Sequence, residues 1–126
     1  MAEPKPGNVM VHPMLETYYN DFKELVDVRG KQGELVLIVF SRLMEDRVLG
    51  VAYGMNVNSV VIHINANKWF GLSENQKRYL MYHELAHDIL NWKHNNGTDL
   101  MTGPMPYFVS NKDIDQAEND LRNGKR

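Results

Sequence analysis

The stretch Ser73–Asn91, SENQKRYLMYHELAHDILN, constrains the fold more than any other part of the chain. Placed on a helical wheel, Met81, Tyr82, Leu85, Ile89 and Trp92 crowd one side, and Leu80, His83, Ala86, His87 and Leu90 crowd another. Only a narrow strip holding Lys77, Glu84, Asp88 and Asn91 is polar throughout. A helix that is apolar around most of its circumference must be surrounded, so it belongs at the centre of its domain. Ser73 followed three residues later by Gln76 predicts a capping box and a helix over Glu74–Leu90.

The elements around that helix can be read in turn. Leu15, Tyr18, Tyr19, Phe22, Leu25 and Val26 recur at three- and four-residue steps, which predicts a helix from Pro13 that Gly30 terminates. Glu34–Leu43 is a continuous β-branched and apolar run, expected as a strand buried on both faces. Arg47–Met55 is a weaker strand interrupted by Gly50 and Gly54, glycines that mark a bulge or a close approach. Ser59–Asn65 alternates as a strand should, with Asn56–Ser59 as its entry turn. The stretch NNGTDLMTGPMPYF is a structured loop, and Lys112–Arg122 is a short terminal helix capped by Ser110 or Asn111. Residues 1–12, with Pro4, Pro6 and Gly7, are expected as a flexible N-terminal arm on a single domain spanning 13–126. The order helix, strands, central helix, loop, terminal helix predicts an α+β domain with a small twisted sheet.

Composition narrows the chemistry. A net charge of −2 offers no basic field for nucleic acid. No apolar run is long enough for a bilayer, and the N-terminus lacks a signal-peptide core, so the expected compartment is the cytoplasm, or a virus particle assembled there. Cysteine is absent, so any metal must be held by His, Asp or Glu.

Three of the five histidines fall within Tyr82–His94, YHELAHDILNWKH. His83 and His87 stand four apart, on one helical face, and can reach one zinc ion. Glu84 is rotated away from both, so it flanks the metal and is placed to act as general base toward a water that the metal acidifies. This is the H-E-x-x-H pattern of metallopeptidases. A third ligand is needed. On an unbroken helix His94 would lie about 10 Å beyond His87 along the axis. It joins them only if the helix ends first, and Asn91 is the natural place, since Asn tolerates the left-handed conformation that terminates helices. Otherwise His94 is a solvated loop histidine.

On these residues the chain resembles the metzincin peptidases, whose motif is H-E-x-x-H-x-x-G-x-x-H. Asn91-Trp92-Lys93-His94 resembles its G-x-x-H portion, with Asn in place of Gly and one extra residue before it. The resemblance implies zinc held by His83, His87 and His94, with Glu84 as catalytic base. It also implies a Met-turn at Met101 in DLMTGP, with Met105 as a competing candidate, and an oxyanion-supporting tyrosine for which Tyr107 stands nearby. Residues 13–122 follow the metzincin order of elements, which implies a minimal zincin fold with a small twisted mixed sheet. The edge strand that such enzymes offer to extended substrate falls in or just after Arg47–Met55. The chain is also similar to small zincin-like proteins of bacteria and phages. In the rival gluzincin family the third ligand is a later glutamate, for which Glu118 is the one downstream candidate.

Other residues carry weaker signals. His63 is expected as a satisfied sheet histidine, and His12 carries no argument. Asp88 is either a solvated carboxylate or an orienter of a ligand. Trp69 and Phe70 are expected to staple the central helix to the sheet. The function expected is zinc-dependent peptide hydrolysis on a protein or peptide substrate, with no nucleic acid and no membrane involved. The alternative is a catalytically silent docking component of a phage particle, gripping other subunits through its arm.

Overall fold

The computed structural model of the chain describes residues 9–26, 35–55 and 59–124, and the following concerns these residues. The elements run β1 (Val9–Val11), α1 (Pro13–Leu25), β2 (Leu35–Ser41), β3 (Gly50–Ala52), β4 (Ser59–Asn65), α2 (Ala66–Trp69), α3 (Glu74–Leu90), a single 3-10 turn at Asp99–Met101, and α4 (Asn111–Arg122). The sheet is mixed, in the order β1-β2-β4-β3. β1, β2 and β4 are parallel, and β3 runs antiparallel to β4 as one edge. This is an α+β domain with four helices and a small mixed sheet.

β1 corrects the expected boundary of the arm. Val9, Met10 and Val11 pair with Val36, Leu37 and Ile38, and the His12 N–H continues to the Ile38 carbonyl at 2.8 Å. The pairing gives a short apolar triplet a sheet to join, which no local pattern could announce. The rest of the expected arm, residues 1–8, lies outside the described residues, as do Gly30 and 56–58. His12 acquires a role as well: its Nδ1 accepts the Met14 N–H at 3.1 Å and caps α1, with Pro13 in the first turn. α1 ends at Leu25 with Val26 extended, a few residues before the expected stop.

Burial alternates along the strands. Val36, Ile38, Val60, Ile62 and Ile64 join α1, α3 and α4 in one core with Leu15, Phe22, Met81, Tyr82 and Leu85. On the other face of β2, Leu35 is exposed and Leu37 and Val39 are half-buried. The expectation of burial on both faces thus fails for β2 among the described residues, where only Val36 and Ile38 are buried. Trp69 is buried between Tyr18 and Phe40 in edge contacts, while Phe70 stacks on Phe40 and stays largely exposed, so the expected staple rests on Trp69 alone. α2 is one turn, capped by Asn65, whose Oδ1 accepts the Asn67 N–H and whose Nδ2 donates to the Glu45 and Val48 carbonyls.

α3 lies at the centre and packs on α1, α4, β3, β4 and the turn at Asp99–Met101. Its start is the predicted capping box: Ser73 Oγ accepts the Gln76 N–H at 3.1 Å and Gln76 Oε1 accepts the Ser73 N–H at 2.9 Å. Ser73→Ala is expected to cost about 1 kcal/mol of stability, measured by urea denaturation. No change in the midpoint would mean that solvent replaces the cap without penalty. No described helix is long and apolar enough to cross a membrane.

Candidate metal centre

The site forms where α3 stops. Asn91 takes the left-handed conformation, φ 58° and ψ 29°, and both its N–H and that of Trp92 turn back to the Ala86 carbonyl. The reversal buries Trp92 and returns His94 to the face carrying His83 and His87. The three Nε2 atoms form a nearly equilateral triangle: 3.1 Å for His83–His87, 3.0 Å for His87–His94 and 3.2 Å for His83–His94. Three nitrogens this close have too few protons and lone pairs placed to satisfy one another. A tetrahedral ion with bonds of 2.0–2.1 Å needs ligand separations of about 3.3 Å, close to what the rings adopt. Among the described residues, these three form the one cluster able to hold a metal ion.

The outer nitrogens explain the convergence. His83 Nδ1 donates to the Leu100 carbonyl at 2.7 Å, and His87 Nδ1 donates to the Trp92 carbonyl at 2.6 Å. A proton fixed on Nδ1 leaves the Nε2 lone pair facing the centre, the tautomer a metal requires. Burial holds the His83 ring well below the usual histidine range, at about 4, against the opposing pull of its bond to Leu100. Burial likewise lowers His87. Both rings are therefore neutral near pH 7, as ligands must be.

The loop that supplies the Leu100 carbonyl is itself stapled. Asn95, also left-handed, gives its N–H to the Met101 carbonyl at 2.8 Å. Asn96 Oδ1 accepts from the Thr98 N–H and hydroxyl, and Thr98 returns its carbonyl to Thr102 Oγ1. Met101 is fully buried in the turn that follows the triad, while Met105 is half-buried and lines the neighbouring cavity. The two backbone carbonyls at Trp92 and Leu100 are the functional groups that sequence reasoning missed. No residue type signals a carbonyl, so only the chain reversal could reveal them.

Glu84 and Asp88 share the polar strip of the helix, yet Glu84 is 5% exposed and Asp88 is fully buried, which rules out the solvated alternative for Asp88. The strip turns toward β3, where glycines leave room. A Cβ at Gly50 would meet Glu84 Cγ and Oε2 at 3.3 Å, and one at Gly54 would meet Asp88 Oδ1 at 2.0 Å. Burial, reinforced by the Asp88 carboxylate one turn on, raises the Glu84 carboxyl to about 7. Glu84 opens with His83 and His94 onto a cavity of about 300 Å³ walled by Val48, Leu49, Tyr79, Leu80 and Met105.

The remaining candidates stand apart. Tyr107, proposed above to support an oxyanion, is fully exposed and does not line this cavity; its loop is held instead through backbone carbonyls that accept from Gln76 Nε2. Glu118 accepts the Tyr82 hydroxyl at 2.7 Å and is no part of the triad. His63 lies half-buried on the sheet in an edge contact with Tyr53. Asp88 does not orient His87, whose Nδ1 goes to Trp92.

With this geometry in place, the comparison with known families has a physical counterpart. Residues 8–114 match the model of a family described as "Putative phage metallopeptidase". The chain belongs to that family. The match spans every element from β1 to the first turn of α4 and contains the whole triad, Glu84 and the cavity walls. No curated protein and no solved structure gives a match. Membership in this phage metallopeptidase family and the histidine triad both point to a bound metal ion.

Proposed function

We propose that the chain is a zinc-dependent endopeptidase with a minimal zincin fold of metzincin type. The observation that carries this reading is the convergence of three imidazole Nε2 atoms within 3.0–3.2 Å of one another, with a buried carboxylate alongside and a cavity adjoining. Three histidines with one open position make a catalytic zinc set, and imidazole suits zinc among the common divalent ions. Zinc bound there supplies Lewis acidity, polarising a peptide carbonyl and making water a better nucleophile near pH 7.

The chain's own residues supply the rest. Glu84 takes the proton from the attacking water and later delivers it to the leaving amine. Its burial against Gly50 leaves the side chain few alternative positions. The turn at Asn91 delivers the third ligand, and the buried Met101 turn fits the metzincin Met-turn. β3, whose outer edge has no partner strand among the described residues, would receive an extended peptide by strand addition. Tyr107 is withdrawn from the catalytic set. A silent docking component would not need three ligands, a buried carboxylate and an adjoining cavity together. Zinc-loaded protein should therefore hydrolyse a denatured protein substrate, lose this activity to a chelator, and regain it with added zinc. Hydrolysis indifferent to chelation would end the reading, as would a protein that binds no metal.

The cavity also sets a preference. Its walls are mainly apolar, with Val48, Leu49, Leu80, Leu100 and Met105 outweighing Arg47 and Thr102, and about 300 Å³ admits one large side chain. Peptides with a bulky apolar residue beside the scissile bond are expected to be cut roughly 10–200-fold faster than the same peptides with alanine there. A peptide library sequenced after cleavage would check this, and a preference for acidic or small residues would contradict it.

A further inference from the structure

We infer that Asp88 is a positioning residue that fixes the edge strand β3, and with it one wall of the substrate cavity, to the helix carrying the metal ligands; the inference rests on the peptidase reading above. Asp88 is fully buried. Through one oxygen, Oδ2, it accepts the N–H of Gly54 at 3.1 Å and the N–H of Val61 at 3.0 Å. Val61 is the residue whose carbonyl takes the Tyr53 N–H, 2.7 Å away, at the end of the β3–β4 ladder. The carboxylate therefore sits where that ladder closes, and joins the chain leaving β3 to β4 and to α3.

β3 needs such a tie. It is three residues long and, among the described residues, pairs on one side only, with β4, so its own ladder gives it little resistance to opening. α3 meets it at two points one helical turn apart: Glu84 lies against Gly50, and Asp88 against Gly54. Gly54 is required by this approach, since a Cβ there would fall 2.0 Å from Asp88 Oδ1 and 2.1 Å from the Ser59 carbonyl oxygen, while a Cβ at Gly50 would be a tight fit, 3.0 Å from Ile64 Cδ1 and 3.3 Å from Glu84. Val48, Leu49 and Gly50 then line the cavity beside Glu84 and His83. Asp88 is not one of the residues lining the cavity, and its bonds to Gly54 and Val61 reach that wall through the strand.

The test compares Asp88→Ala with Asp88→Asn in the full zinc-loaded chain. In the alanine variant, the Gly54 and Val61 amides should exchange with solvent at least about tenfold faster by NMR. KM for a peptide substrate should rise about tenfold with kcat within about threefold, because uniform binding is what the strand provides. Zinc affinity, measured against a chromophoric chelator, should stay within about threefold, whereas a carboxylate orienting a ligand would cost roughly 10–100-fold. The asparagine variant presents an oxygen to the same two N–H groups and should restore wild-type exchange and KM. Unchanged exchange at Gly54 and Val61 in the alanine variant overturns the inference. So does a fall in kcat at constant KM, or an asparagine variant as impaired as alanine. If the alanine variant does not fold, the asparagine variant decides alone, by wild-type or impaired exchange and KM. A wild-type chain that binds zinc but cleaves nothing sinks the peptidase reading, and the amide exchange still tests the tie.

Discussion

Glu84→Gln is expected to reduce kcat by roughly two to four orders of magnitude while the protein stays folded and binds its metal. The amide has the shape of the carboxyl, so the contact with Gly50 and the packing of α3 should survive. It cannot accept a proton from water near neutral pH, so hydrolysis loses its base while zinc keeps its three ligands. Steady-state kinetics, circular dichroism and metal content on the same preparation separate these outcomes. A glutamine variant cleaving within a few-fold of wild type would remove Glu84 from the mechanism. A variant that also loses metal would show that the carboxylate supports the triad itself.

The second large effect concerns the third ligand. Zinc at one hundred times its dissociation constant should stabilise the native chain by about 2.7 kcal/mol, provided the unfolded chain does not bind it. In a domain of this size that corresponds to a rise of about 10 °C in Tm. His94→Ala should abolish most of this shift at the same zinc concentration, because two ligands on α3 remain where three had converged. Asn91 provides an independent handle. Asn91→Gly should keep the zinc shift, since glycine adopts φ 58° freely, while Asn91→Val should lose part of it because a β-branched residue resists that conformation. Differential scanning fluorimetry with and without zinc measures all three. An undiminished shift in His94→Ala would exclude His94 from the ligand set.

The centre of this molecule was legible because its signals are local. The capping box at Ser73 and Gln76, the apolar circumference of α3 and the four-residue spacing of His83 and His87 all act within a turn or two of helix. Asn91 was readable for the same reason: one residue with a known tolerance for the left-handed region sits where the ligand geometry demands a reversal. β4 was legible from its alternation, and its bounds agree with the pattern.

What escaped depends on partners distant in sequence. β1 is a strand because β2 offers an edge, and nothing in Val9–Val11 announces that. Asp88, on the polar strip of α3, could equally have been a solvated carboxylate, but Gly50 and Gly54 allow the sheet edge to come close enough to bury it and Glu84. Tyr107 looked close to the site along the chain, and the loop carries it into solvent.

By itself, the sequence determined the shared face of His83 and His87, the place of Glu84 beside them and the turn that brings His94 to them, since spacing along a helix and a left-handed terminus are properties of neighbouring residues. The tertiary structure alone decided which backbone carbonyls hold the imidazoles in their ligand tautomer, that Glu84 is dry, and that Asp88 grips the sheet. Those outcomes rest on contacts between segments far apart in the chain, where hydrogen bonding and the exclusion of water follow from packing rather than from any local pattern.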